Sequence, residues 1–389
     1  MTSTAARRRY PTLDAVRAAG ALMVVLTHVA FNTGQINHGW PGAVLSRLDF
    51  GVALFFVVSG FLLSRPWFQA RTAGTPDPAL GHYLWKRALR ILPIYWVVVV
   101  VALAADPANR HASLGDWVSN LTLTQLYRPA PLSSSLTQMW SLCTEVAFYL
   151  VLPFLLRLLL GRGRFSLRRT LAGFAGLSVL GLAWTAFAQQ IAPSDWHVGQ
   201  WLPAYVLWFS VGVAFAACSV VPSVTARLDD VARDLTGWWI LGLALFAIAC
   251  SDVAGPRLLV PPTSWEAVAK SLLYAASAGC LILPLVFGPE REGRVRQFMT
   301  GRVPTWLGEI SYGIFCIHMF VLVVGMRVAG IDPFTGRFAE VLAFTLAITL
   351  VAAGLSYRFL ESPVLRLKNR GPLARRDPAM SATATTADH

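Results

Sequence analysis

Ten apolar stretches bounded by charged residues or by Gly and Pro fall at 13–31, 50–64, 91–105, 139–160, 171–190, 202–221, 237–251, 271–288, 305–326 and 339–360. With a few residues added at either end, each has the length of roughly 20 residues that a helix needs to cross a bilayer. In hydrocarbon a backbone has no water to bond and must satisfy its own amides, which selects helices. The pattern predicts an all-α polytopic integral membrane protein with about ten transmembrane helices. Charged residues make up only 14% of the chain, against roughly a quarter in soluble domains.

Charge placement gives an independent test, because Lys and Arg accumulate in cytoplasmic loops. With the N terminus inside, 24 of the 33 basic residues fall in inside segments, 7 in outside loops, and Arg17 and Arg358 within spans. An even number of spans returns both termini to the cytoplasm. The divisions expected are a cytoplasmic N terminus over 1–12, a transmembrane domain over 13–364, and a basic, disordered cytoplasmic tail over 365–389. A net charge of +13 spread over alternate loops is positive-inside anchoring and not a nucleic-acid footprint. Arg7, Arg8 and Arg9 before the first apolar run mimic a signal peptide, but no small-residue cleavage site follows, so the run reads as an uncleaved first helix. The long outer loop from Asp106 to Gln138 reads as a structured cap or a re-entrant piece. The five cysteines have no C-x-x-C spacing, which argues against disulfides and thiolate metal sites, and no metal site is expected.

Ionisable residues inside spans cost roughly 2.5–3.5 kcal/mol each on insertion scales and so call for a role. Asp14, Arg17 and His28 interrupt the first run. Arg17 and His28 are eleven residues apart, on one helix face and roughly 16 Å apart along the axis, a stripe suited to a polar cavity. The plainer reading makes Asp14 and Arg17 an interfacial pair and His28 a headgroup cap. Arg87 and Arg90, spaced i,i+3 in Arg87-Ala-Leu-Arg90-Ile-Leu-Pro-Ile-Tyr95, suit phosphate through their bidentate forks, with membrane anchoring as the bland alternative. Ser141, Glu145 and Tyr149 share a face in the run that opens at Trp140, where a structural pairing of Glu145 with an arginine is the competing account. Ser59 and Gly60 read as close helix packing. His318, in Ser311-Tyr312-Gly313-Ile314-Phe315-Cys316-Ile317-His318, is either a core histidine or part of a site.

Taken in order, these stretches resemble the membrane acyltransferase family 3, whose mark is an arginine, ten residues and a histidine in the first span, as at Arg17 and His28. The likeness continues through Phe55 to Phe61, Arg87 to Tyr95, Trp140 to Tyr149, Ser311 to His318 and Phe359 to Pro363. Val146 after the glutamate, and Ala15 and Ala18 where the family opening has glycine, depart from its pattern. The resemblance implies transfer of an acyl group, commonly acetyl, from acyl-CoA as co-substrate, with no permanently bound cofactor. It implies a hydroxyl-bearing acceptor, either a natural product such as a macrolide or a sugar, envelope polysaccharide included, and a place in the bacterial cell membrane.

On that footing His28 is expected as the catalytic base, oriented by Glu145 or Asp14. Arg17, Arg87, Arg90 and Tyr95 are expected to hold acyl-CoA. Ser141, Tyr149, Trp140, Tyr312 and His318 are candidates for substrate contacts or for the oxyanion. Direct attack and a route through an acylated His28 are both compatible with these residues. A transporter or flippase with an Arg/His/Glu path is the reading from another class, separated by CoA dependence.

Overall fold

The computed structural model describes residues 10–161, 165–191, 193, 195–257, 260–289 and 293–369. Arg7, Arg8, Arg9, Arg162, Arg164 and Arg291, which entered the charge count, lie outside these, as does the tail from 370. In chain order the helices are α1 (Thr12–Asn32), α2 (Gly39–Ser46), α3 (Phe50–Ala73), α4 (Leu80–Ala105), α5 (Leu114–Leu121), α6 (Trp140–Leu160), α7 (Leu167–Ile191), α8 (Leu202–Cys218), α9 (Pro222–Val231), α10 (Leu235–Ala249), α11 (Ser264–Val286), α12 (Arg294–Met299), α13 (Arg302–Val328) and α14 (Phe338–Ser356). A π-helical stretch, Tyr357–Glu361, and short turns to Asn369 follow.

Among the described residues nine helices are long and apolar enough to cross a membrane: α1, α2 with α3, α4, α6, α7, α8, α11, α13, and α14 with the turns after it. The stretch expected at 237–251 is the exception. Its helix α10 has 15 residues, about 22 Å at 1.5 Å per residue, too short for the hydrocarbon core by itself. α9 precedes it at an 80° bend, so the chain has ten spans only if this bent pair is one of them. Arg47 fixes where α10 stops. Counted in the sequence as an outer-loop charge, it is buried, and it donates to the carbonyls of Ala249, Ala254 and Gly255, satisfying acceptors that a helix end leaves open.

α1 packs between α3 and α13, and α3 in turn packs along α8. The α3–α8 seam runs backbone against backbone. A Cβ on Gly60 would meet the Phe209 carbonyl, and one on Gly212 would meet the Val57 carbonyl. Small residues are what permit such an approach between membrane helices. Outward-facing positions are apolar, among them Leu150, Phe154 and Leu158 on α6 and Val179 and Leu180 on α7, as a lipid-facing surface requires.

Of the two forms the sequence suggests for the segment after α4, it takes that of a structured cap. Asp106, fully buried, accepts from Ser135 Oγ at 2.6 Å, from the Ala108 amide at 3.0 Å and from Arg327 Nη1 of α13 at 2.5 Å. Asn109 binds the Ala102 and Ser134 carbonyls and accepts from the Ser134 amide. Burial opposes ionisation of Asp106, but the bonds from Ser135 and Arg327 outweigh it and hold the carboxyl down to about 2.

Replacing Gly60 with Val should separate α3 from α8 and lower the melting temperature in detergent by several degrees, with loss of membrane yield. An unchanged melt would show that the seam is looser than its backbone contact. Because Asp106 is depressed below its ordinary value, its contribution is complete above about pH 4 and is lost as pH falls toward 2. Asp106→Asn should therefore melt earlier at pH 7, by the equivalent of about 2 kcal/mol, and the gap from wild type should close on acidification. A gap independent of pH would remove ionised Asp106 as its cause.

Candidate active site

The Arg17 end of the polar stripe of α1 and the motif faces of α3, α4, α6 and α13 converge on one cavity of about 90 Å³. Arg17 enters from α1, Ser59 from α3, Arg87 and Arg90 from α4, Ser141, Glu145 and Tyr149 from α6, and Ser311 and Tyr312 from α13. Helical spacing does the assembling. Positions three and four apart are neighbours on a helix surface, so α4 presents both arginines together, and α6 presents Ser141, Glu145 and Tyr149 in one row.

Glu145 Oε1 accepts from Ser59 Oγ and, at 2.6 Å, from the Tyr149 hydroxyl. The Tyr149 carbonyl accepts from the Tyr83 hydroxyl at 3.1 Å, tying α6 to α4. The Arg87 guanidinium carbon sits 6.0 Å from the centre of the Tyr149 ring, while its buried Nε has no hydrogen-bond partner among the described residues. Arg17 pairs with Asp14 at 3.2 Å. The wall thus carries three guanidinium groups against one carboxylate, an excess of positive charge in a low-dielectric setting where a charge interacts more strongly than in water.

His28 stands farther along α1. Its Nδ1 lies 2.8 Å from the Val24 carbonyl and 3.1 Å from His318 Nε2, and His318 Nδ1 lies 3.0 Å from the Ile314 carbonyl. A carbonyl only accepts, so the hydrogen-bond pattern assigns the proton to Nδ1 in each neutral ring. His28 N–H is then shared between the Val24 oxygen and the His318 Nε2 lone pair. This tautomer leaves His28 Nε2 with its lone pair free of a proton. The partner of His28 is therefore neither Glu145 nor Asp14: Glu145 is bound to Ser59 and Tyr149, and Asp14 lies fourteen residues, about 21 Å, toward the other end of α1.

Two further candidates sit apart from the arginines. Tyr95 is fully buried and donates to the Asn120 carbonyl, joining α4 to the cap. Trp140 faces a second cavity. Tyr312 lines the first cavity and donates to the Ile91 carbonyl at 2.9 Å. Ser141 donates to the Gln138 carbonyl at 3.3 Å. Ser59, read in the sequence as packing together with Gly60, instead holds the glutamate, and of the two it is Gly60 that lies in the α3–α8 seam. Asp49 with Lys270, paired at 2.6 Å, was missed as a unit because its members are 221 residues apart. The cue available was Lys270 itself, a lone lysine immediately before the apolar run at 271–288.

The family described as an acyltransferase domain matches residues 10–357. Acyltransferase MdmB of Streptomyces mycarofaciens is 27% identical over 98% of this chain and 96% of its own length. Exopolysaccharide production protein ExoZ of Rhizobium meliloti is 27% identical over 88% of this chain and 95% of its own. Peptidoglycan O-acetyltransferase OatA of Listeria monocytogenes is 23% identical over 93% of this chain, which spans 57% of that protein. No solved structure matches the chain. With its membrane helices and a family match over almost its whole length, the chain belongs to this acyltransferase family and is a membrane O-acyltransferase.

Proposed function

We propose that the protein transfers an acyl group, acetyl in the first instance, from acyl-CoA to a hydroxyl of a natural product or a sugar, with His28 as general base. The observation that carries this reading is the fixed tautomer of His28, whose Nδ1 hydrogen is held by Val24 and His318 on the same helix that sends Arg17 into the cationic cavity. The acceptor O–H gives its proton to Nε2 as its oxygen attacks the thioester carbon. The tetrahedral oxyanion then collapses, the C–S bond breaks, and the imidazolium returns the proton to the departing sulfur, giving an ester and free CoA. Such general-base assistance is typically worth 10² to 10⁴ in rate.

Arg87, Arg90 and Arg17 supply the charge for the CoA phosphates, and the distance along α1 from Arg17 to His28 suits an extended pantetheine arm. Ser141 is the hydroxyl best placed to turn toward an oxyanion, since its present bond is long and is given up at little cost. The positive-inside distribution supports a cytoplasmic position for the arginine end and for both termini, and bacterial relatives such as those from Streptomyces and Rhizobium support a bacterial cell membrane. The names of the relatives, a peptidoglycan O-acetyltransferase and an exopolysaccharide production protein, favour a glycan acceptor. A macrolide hydroxyl is the natural-product alternative.

The decisive assay is release of free CoA thiol from acetyl-CoA by detergent-purified protein offered glycosylated macrolides and oligosaccharides. Acceptor-dependent release should fall at least a hundredfold in His28→Ala, whereas equal rates would remove His28 as the base. His318→Ala should cost about tenfold, and His318→Gln, whose amide oxygen also accepts, should recover part of it. Release by no acceptor at all would return the transporter reading. Arg87→Ala should raise KM for acetyl-CoA at least tenfold while kcat changes less, with Lys a partial substitute; an unaltered KM would place the phosphates elsewhere.

A further inference from the structure

At the other end of α3 lies a larger cavity, of about 270 Å³, walled by the N-terminal ends of α3, α8 and α11, the C-terminal end of α7 and the first residue of α6. One side is aromatic. The Trp140 and Tyr205 rings stand 5.1 Å apart, Tyr205 and Trp208 stand 4.9 Å apart at 66°, and Trp208 is fixed by donating to the Ser271 carbonyl at 3.0 Å. The other side is polar. Lys270 Nζ donates to Asp49 Oδ2 at 2.6 Å, and the Tyr274 hydroxyl donates to Oδ1 at 2.5 Å. Although they lie within the helical bundle, the Asp49 and Lys270 side chains keep 40% and 27% of their surface accessible, and both line this cavity.

We propose that this second cavity is the acceptor site and that it takes one glycosyl ring. A pyranose has a C–H face that lies against indole and phenol rings and an equator of hydroxyls that both donate and accept. The cavity answers both halves. Each Asp49 oxygen uses one acceptor position and keeps another, and Lys270 keeps two N–H donors. An acyl chain would leave the spare donors of Lys270 and acceptors of Asp49 unanswered, and an anionic headgroup would find the lysine already paired with Asp49. The volume, several times that of a water-sized hole, holds a single ring and not an oligosaccharide. The remaining units of a longer acceptor would extend outward past Gln190 and Thr263, which line the cavity near the ends of α7 and α11.

The position relative to the donor supports the assignment, which rests on the acyl-CoA reading above. Val52 lines both cavities, and the consecutive residues Trp140 and Ser141 face one each. A single layer of side chains therefore separates the ring from the arginine-walled cavity. Donor and acceptor approach from opposite ends and meet at α3.

The test separates the two readings. Detergent-purified protein is titrated, without donor, with methyl glycosides of glucose, mannose, rhamnose and N-acetylglucosamine, read by tryptophan fluorescence, while acetyl-CoA binding is followed by calorimetry. At least one glycoside should quench saturably. Ala267→Trp, which fills the cavity from α11, should raise the Kd of that glycoside at least tenfold and leave acetyl-CoA binding within twofold. Thr185→Phe on the facing wall serves if the first variant does not fold. Absence of quenching by every glycoside, or unchanged glycoside binding in the filled variant, overturns the proposal. Absence of acetyl-CoA binding by wild type would instead sink the donor reading and leave the glycoside titration to be judged by itself.

Discussion

A guanidinium or a carboxylate inside a bilayer is stable only where other polar groups or water meet it, and this constraint organises the bundle. Arg17, Arg87, Arg90 and Glu145 come from three helices distant in sequence, and each by itself would penalise insertion of its helix. Gathered on one cavity, they face one another and away from lipid. The outward faces are left to Leu, Val and Phe. The same requirement acts at smaller scale on Arg47, whose buried guanidinium is met by the carbonyl of Ala249 at the end of α10 and by those of Ala254 and Gly255 in the turn after it.

Convergence of this kind needs helices closer than ordinary side chains allow. α3 reaches α8 through Gly60 and Gly212, α1 reaches α3 through Gly20 and Gly51, and α13 reaches α1 where Gly308 meets the Asp14 backbone. Packing of helices in lipid draws little from the hydrophobic effect, since tails are as apolar as Leu, so van der Waals contact along such seams carries the association. These seams bear on chemistry. With α3 drawn against its neighbours, Ser59 reaches Glu145, and the residue that packs and the residue that bonds are adjacent in sequence.

What periodicity encodes is legible in the sequence. The apolar runs mark the spans, and i,i+3 and i,i+4 spacing places Arg87 with Arg90 and Ser141 with Glu145 and Tyr149 on shared faces. The bent α9–α10 pair was not legible, because an apolar run of 15 residues has the composition of a span without its length. Pairings across helices were not legible either. His28 and His318 are 290 residues apart, and nothing local says that an imidazole, and not a carboxylate, will meet Nδ1. Tyr95 shows the converse error: nearness in sequence to Arg90 suggested a shared pocket, but five further residues along α4 carry its hydroxyl to the cap.

The two cavities differ in the kind of ligand they can hold, and the difference follows from charge. Three guanidinium groups against one carboxylate attract a polyanion, while the second cavity holds a closed ion pair beside aromatic rings and offers no net attraction to phosphate. On the proposed reading, a nucleotide thioester would be sorted to the first cavity and a neutral, hydroxyl-rich ring to the second, without a moving part to direct them. Val52 between the two is aliphatic and carries no hydrogen-bonding group. A layer of that kind keeps water from bridging donor and acceptor sites, which matters because water is itself a hydroxyl nucleophile toward a thioester. Proposed transfer in place of hydrolysis would then depend on the acceptor, and not solvent, being the oxygen that passes this layer.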